Sequence, residues 1–164
     1  MLIIRHFLIV LLLATGLNAV GQQKPAVKVS GEVTHPLTLY PENLRQMKRT
    51  TVALKDHEGN ERAYTGVPVQ EILEQAGVTT GKTLKGKNLR KYLLVRCADG
   101  YEVLFSLAEL DSAFTDKVVI LADESGGQPL PAGKGPFRLV VPGEKKPARS
   151  SFQVTDMIVG FARD

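Results

Sequence analysis

Short alternating runs of apolar residues, each closed by glycine, proline or an Asp-Gly pair, recur along the chain and limit what it can fold into. Val27 to Val33 alternates in this way, as does Thr50 to Lys55, which reads as a strand. Glu61 to Thr65 follows across Asp56-His-Glu-Gly-Asn60, whose glycine and asparagine tolerate positive φ, so the pair predicts a hairpin. Leu93–Ala98 and Glu102–Ser106 flank Asp99-Gly100, a strong tight-turn signal between strands. Val118–Ala122, Leu139–Val141 and Phe152–Val159 read as further strands. Helical spacing is confined to short stretches. Pro41 opens one, Pro41–Met47, at a position where its missing donor is not needed. Gly66-Val-Pro68 opens another, whose apolar positions Val69, Ile72, Leu73 and Ala76 follow helical spacing and which Gly77 ends. Ser106 can cap a turn over Leu107–Leu110. Strands dominate without strict strand–helix alternation, which predicts an α+β domain with a mixed sheet or small barrel and short helices.

Residues 1–21 read as an export signal. Arg5 and His6 form a basic start, Phe7–Ala14 is nearly all aliphatic, and Ala19 and Gly21 suit cleavage after Gly21. The apolar run is shorter than the ~20 residues of a membrane span. The expectation is therefore an exported protein, periplasmic or secreted, with residues 22–164 as a single domain and no membrane span after cleavage. Without Arg5 the formal charge drops from +4 to +3, too small to imply nucleic acid, and the chain has no tryptophan to stack on bases. Cys97 is the only cysteine, so no internal disulfide is available and the fold must be held by its core. In the apolar run Tyr92–Ala98 it reads as a buried structural thiol.

The chemistry concentrates in GKGPFRLVVPGEKKPARS, residues 133–150. Lys134, Arg138, Lys145, Lys146 and Arg149 are opposed there only by Glu144. A strand with cationic loops at both ends can bring those charges onto one anion. The structural alternative is that Arg138 pairs with a carboxylate and the lysines are solvated. Thr79–Lys91, also rich in lysine, reads as a solvated loop. With His35 and His57 the only histidines after residue 21, neither metal binding by His57 nor nucleophilic catalysis by His or Cys is well supported.

Five segments in order, SGEVTHPLTLYPENL (30–44), YTGVPVQEILEQAGV (64–78), DGYEVLFSLAEL (99–110), GQPLPAGKGPFRLVVPG (127–143) and ARSSFQVTDMIV (148–159), resemble the molybdopterin-binding domain of the sulfite oxidase family. The resemblance implies a sulfite-oxidase-type α+β domain whose cofactor, molybdopterin, is held by its phosphate and through a cysteine sulfur on the metal. It implies that Arg138, Arg149, Lys134 and Ser150 bind the cofactor. It also puts His57 where the ligating cysteine belongs and Phe152 where a lysine is expected, so the missing thiol argues against bound molybdenum. Two functions follow as expectations. One is an exported molybdopterin-dependent oxidoreductase-like domain, degenerate at the metal, with an envelope redox partner. The other is a non-catalytic envelope binding module for a small anionic ligand or a protein partner.

Overall fold

The computed structural model describes residues 24–56 and 58–162. The expected signal segment 1–21 and His57 lie outside the described residues. In chain order the elements are β1 (Val27–Gly31), β2 (Leu37–Leu39), α1 (Pro41–Gln46), β3 (Thr50–Lys55), β4 (Glu61–Pro68), α2 (Val69–Gln75), β5 (Lys91–Cys97), β6 (Glu102–Ser106), β7 (Ile120–Ser125), β8 (Gln128–Pro129), β9 (Arg138–Val140) and β10 (Val154–Phe161). The α+β class and the short helices predicted from the sequence are what the chain forms. The strands divide into two open sheets, and the first is mixed.

The first sheet has the order β2-β1-β10-β5-β6. β10 lies parallel to β1 and antiparallel to β5, so the last strand is inserted beside the first. Gly31 ends β1 at φ +92°, and a Cβ there would overlap the Val159 carbonyl, so glycine is required on both counts. The second sheet runs β3-β4-β7-β8, with β9 also on β7. β4 extends past the predicted strand end at Thr65 to Pro68, because β7 offers pairing partners as far as Pro68↔Ile120. Gly66 sits at the bulge in this pairing, where a side chain would collide with the backbone of Leu121 and Ala122. α2 starts directly after it at Val69 and buries Val69, Ile72 and Leu73, the spacing read from the sequence.

Side chains alternate between faces along each strand, so the second sheet has two distinct sides. Val67, Leu121 and Leu139 face the main core, which they share with α2 and with Val29, Leu93, Phe105 and Met157 of the first sheet. The neighbours one residue away turn to the opposite side. There Leu54, Tyr64, Ile120, Ala122 and Val140 form a second, smaller apolar cluster. Arg138 precedes Val140 by two residues and therefore belongs to this second side.

Smaller differences from the sequence reading have local causes. β7 begins at Ile120 and continues to Ser125, because Glu124 and Ser125 pair with β8 across a tight turn at Gly126-Gly127. Residues 79–91 contain two 3-10 turns, held by buried Leu84 and by the Gly81 amide donating to Asp111 Oδ2 at 2.5 Å. Ser106 does cap the turn Leu107–Leu110: its hydroxyl accepts from the Glu109 amide at 3.3 Å while Glu109 accepts from the Ser106 amide.

Candidate functional site

The second side of the β3-β4-β7-β9 sheet carries a hollow of about 340 Å³ beside its apolar cluster. Three strands and three connecting segments build it. β3 ends at it with Leu54 and Lys55, and Asp56 follows. Arg62 and Tyr64 come from β4, two residues apart and so on one face; the register sets Leu54 opposite Arg62. β9 gives Arg138, the loop before it Lys134, and the segment after it Pro147, Ser150 and Phe152.

That last segment is tied along β9. Leu139 donates its amide to the Ser151 carbonyl at 2.9 Å, Val154 donates to Phe137 at 3.1 Å, and Arg138 bridges Phe152. Val141 donates its amide to Ser150 Oγ at 2.9 Å, which fixes that hydroxyl and leaves its own proton for another acceptor. The strand thus carries Arg138 between two loop segments, as the sequence suggested, and the fixed segment sets Phe152 against it.

Arg138 is the electrostatic centre. It is only 8% exposed, yet no carboxylate pairs with it among the described residues. Its guanidinium lies over two rings, 4.6 Å from the Tyr64 centroid and 4.1 Å from that of Phe152. Nη1 donates to the Tyr64 hydroxyl, whereas Nε is buried with no partner. Burial pushes the guanidinium below its ordinary pKa; the nearby Tyr64 oxygen opposes that shift and Arg62 adds to it. Lys134 Nζ stands 5.8 Å from the Phe152 ring centroid. Lys55, Arg62, Lys134 and Arg138 line the hollow against one acid, Asp56. Asp56 is committed to its own turn, accepting from the Glu58 and Asn60 amides at 2.9 Å each. A buried cation without a counter-charge is costly, and an incoming oxyanion would supply one.

The residues singled out in the sequence divide. Lys134, Arg138 and Ser150 meet at this hollow. Arg149 does not line it. Its Nε donates to Glu144 Oε1 at 2.9 Å, and Nη2 bonds the same oxygen. Nη1 donates to Glu109 Oε1 at 3.1 Å and to the Leu104 carbonyl at 3.2 Å. The guanidinium stacks on Phe105 at 4.3 Å and lines a separate hollow with Glu109 and Phe114. The expectation that these cations surround one guest is corrected for Arg149, because two carboxylates already hold it. Sequence reasoning did not select Arg62 and Tyr64. The available signal was their i, i+2 spacing in a predicted strand, which puts them on one face without saying which face meets β9.

The cationic half of a cofactor site fits these residues; a metal–sulfur half does not. Cys97 closes β5 in the other sheet and does not line the Arg138 hollow; it lines an adjoining one with Asp99, Tyr101 and Ser151, and the two hollows share Pro147, Ser150 and Phe152. Burial raises its thiol pKa, so the protonated, inert form is favoured, as its sequence context predicted. Among the described residues no three His, Cys, Asp or Glu side chains gather as a metal site. His57 lies outside the described residues.

Comparison with known proteins agrees with the fold and with the family resemblance. The family model described as "Oxidoreductase molybdopterin binding domain" matches residues 16–146. Among solved structures, the sulfane dehydrogenase SoxCD from Paracoccus pantotrophus aligns at a TM-score of 0.64 and 24% sequence identity. That alignment covers 84% of this chain and 38% of the other, so the chain spans well under half the length of that structure. The likeness to it is one of fold. No curated protein matches the chain.

Proposed function

Because the chain belongs to the oxidoreductase molybdopterin-binding domain family, we propose that the Arg138 hollow receives the phosphate end of a pterin cofactor and that no protein sulfur ligates its metal. The observation that carries this reading is Arg138 itself, buried, without a carboxylate and with Nε unbonded. Arg138 and Lys134 neutralise the guest's charge, and the Ser150 hydroxyl donates to a phosphate oxygen. Tyr64 orients the guanidinium from behind. The hollow's volume falls at the lower end of the range for small-molecule sites. A bound molybdopterin supplies oxygen-atom or electron transfer. This chain offers it charge, shape and a fixed guanidinium, but no thiolate.

The domain therefore acts as a binding module on an oxidoreductase fold. It is exported if residues 1–21 act as the signal that their pattern describes, and N-terminal sequencing of the mature protein should then begin at Gln22.

The test is purification from a molybdenum-replete host, followed by metal analysis and fluorescence of the released, oxidised pterin. The expected result is pterin bound to the wild type, lost in Arg138→Ala, with molybdenum well below one per chain. The arginine contact is worth about 1.5–3 kcal/mol for a charge-assisted bond, so Arg138→Ala should weaken phosphate-bearing ligands about 10- to 150-fold. One molybdenum per chain would overturn the binding-module reading in favour of a redox centre. Folded wild type that binds neither pterin nor phosphate would sink both.

A further inference from the structure

Arg138 Nε is buried and bonded to nothing, although it belongs to the side chain around which the hollow is built. A guest in the hollow cannot reach that atom as the side chains stand. Two rings lie against the guanidinium, and they differ in freedom. Tyr64 is 6% exposed, packed among Leu54, Ile120 and Val140, and bonded to Arg138 through its hydroxyl. Phe152 is 38% exposed, belongs to neither apolar cluster, and has its ring against the two cations Arg138 and Lys134.

We propose that Phe152 is a displaceable cover on the anion site: its ring occupies the face of Arg138 in the empty protein and swings aside when a multiply charged oxyanion enters. The proposal rests on reading the hollow as an anion site. A ring face attracts a guanidinium more weakly than an oxyanion that accepts its hydrogen bonds, so the exchange favours the guest. The movement is a side-chain rotation. The backbone on both sides of Phe152 is held by the Ser151 bond to β9, by the Val154 bond to Phe137 just before it and by the bridge to Arg138. Rotation toward solvent needs no repacking of the core, because the ring is already half out of it. Lys134, which shares the ring with Arg138, loses the same contact and is freed to meet the guest. In the resting protein the ring lowers the cost of a buried charge that has no counter-ion.

Inorganic pyrophosphate is the probe, since several cations face the hollow. Removing the cover removes a competitor, so Phe152→Ala should bind pyrophosphate about three- to tenfold more tightly than the wild type, the inverse of a modest cation–π contact. Phe152→Trp provides a direct readout, because the chain has no other tryptophan. Its emission should shift to longer wavelength and become more accessible to acrylamide as pyrophosphate is added. The shift should vanish when Arg138→Met is added. If wild type binds pyrophosphate while Phe152→Ala binds no more tightly and the emission of the Phe152→Trp variant stays fixed, the cover is wrong and the anion site stands. If neither wild type nor Phe152→Ala binds it, with circular dichroism showing both folded, the anion site fails and the cover with it.

Discussion

Arg138 and Arg149 come from one basic stretch of sequence and both stack on aromatic rings, yet the fold gives them opposite electrostatic surroundings. Arg149 is held by Glu144 and Glu109. Burial opposes its charge, but the two carboxylates outweigh it and raise its pKa. Arg138 is more deeply buried and faces a ring, a phenol and another cation, and its pKa is lowered. A cation already satisfied by carboxylates contributes to structure. A cation buried without them has a charge that only a guest can balance, and this distinguishes a site from a cluster of basic residues.

Substituting each arginine in turn separates the two roles. Arg138→Met should cost most of the affinity for pyrophosphate, about 10- to 150-fold, with the unliganded protein as stable as before or more so, since an unpaired buried charge is removed. Titration calorimetry and urea unfolding report the two quantities. A clear loss of unliganded stability would make Arg138 a structural residue. Arg149→Met should do the reverse, lowering stability by about 1 kcal/mol, because its partners are partly exposed, with pyrophosphate affinity within about twofold of wild type. Loss of binding in that variant would place Arg149 at the guest after all.

The smallest effect concerns acid. Burial works against ionised Glu109, but the Ser106 amide, Arg149 and the Ser106 hydroxyl together hold its carboxyl below the ordinary value of 4.5. A depressed carboxyl adds stability that is present above its unfolded pKa and is lost as the pH falls through the lower folded value. Stability of the wild type should therefore decline on acidification below about pH 4.5. Glu109→Gln should show a shallower decline over the same range, by thermal unfolding in a pH series. An identical slope would mean that the Arg149 cluster does not couple to folding.

Much of the fold was legible because its signals are local. The period-two runs of β1 and β3, the helical spacing of α2, the Asp99-Gly100 turn and the Ser106 cap each depend on residues within a few positions of one another. Boundaries slipped where a distant partner decided them. β4 runs to Pro68 because β7 pairs with it, and the short β8 exists because β7 turns back on itself. Of the cationic residues, Lys134 and Arg138 were readable from one loop-and-strand segment. Tyr64 and Arg62 lie far away in sequence and join them only through the pairing of β4 with β7 and of β7 with β9.

By itself, the order of residues determined the α+β class, the family resemblance, the absence of any second cysteine and the presence of a basic segment near the C-terminus. These depend on spacing along the chain and on side-chain chemistry. Only the tertiary structure decided which cations are neutralised. Glu144 lies in the same basic segment as both arginines, and Glu109 is remote from both, yet both carboxylates meet Arg149. Charge compensation acts through space, over a few ångströms, and the arrangement of strands sets those distances.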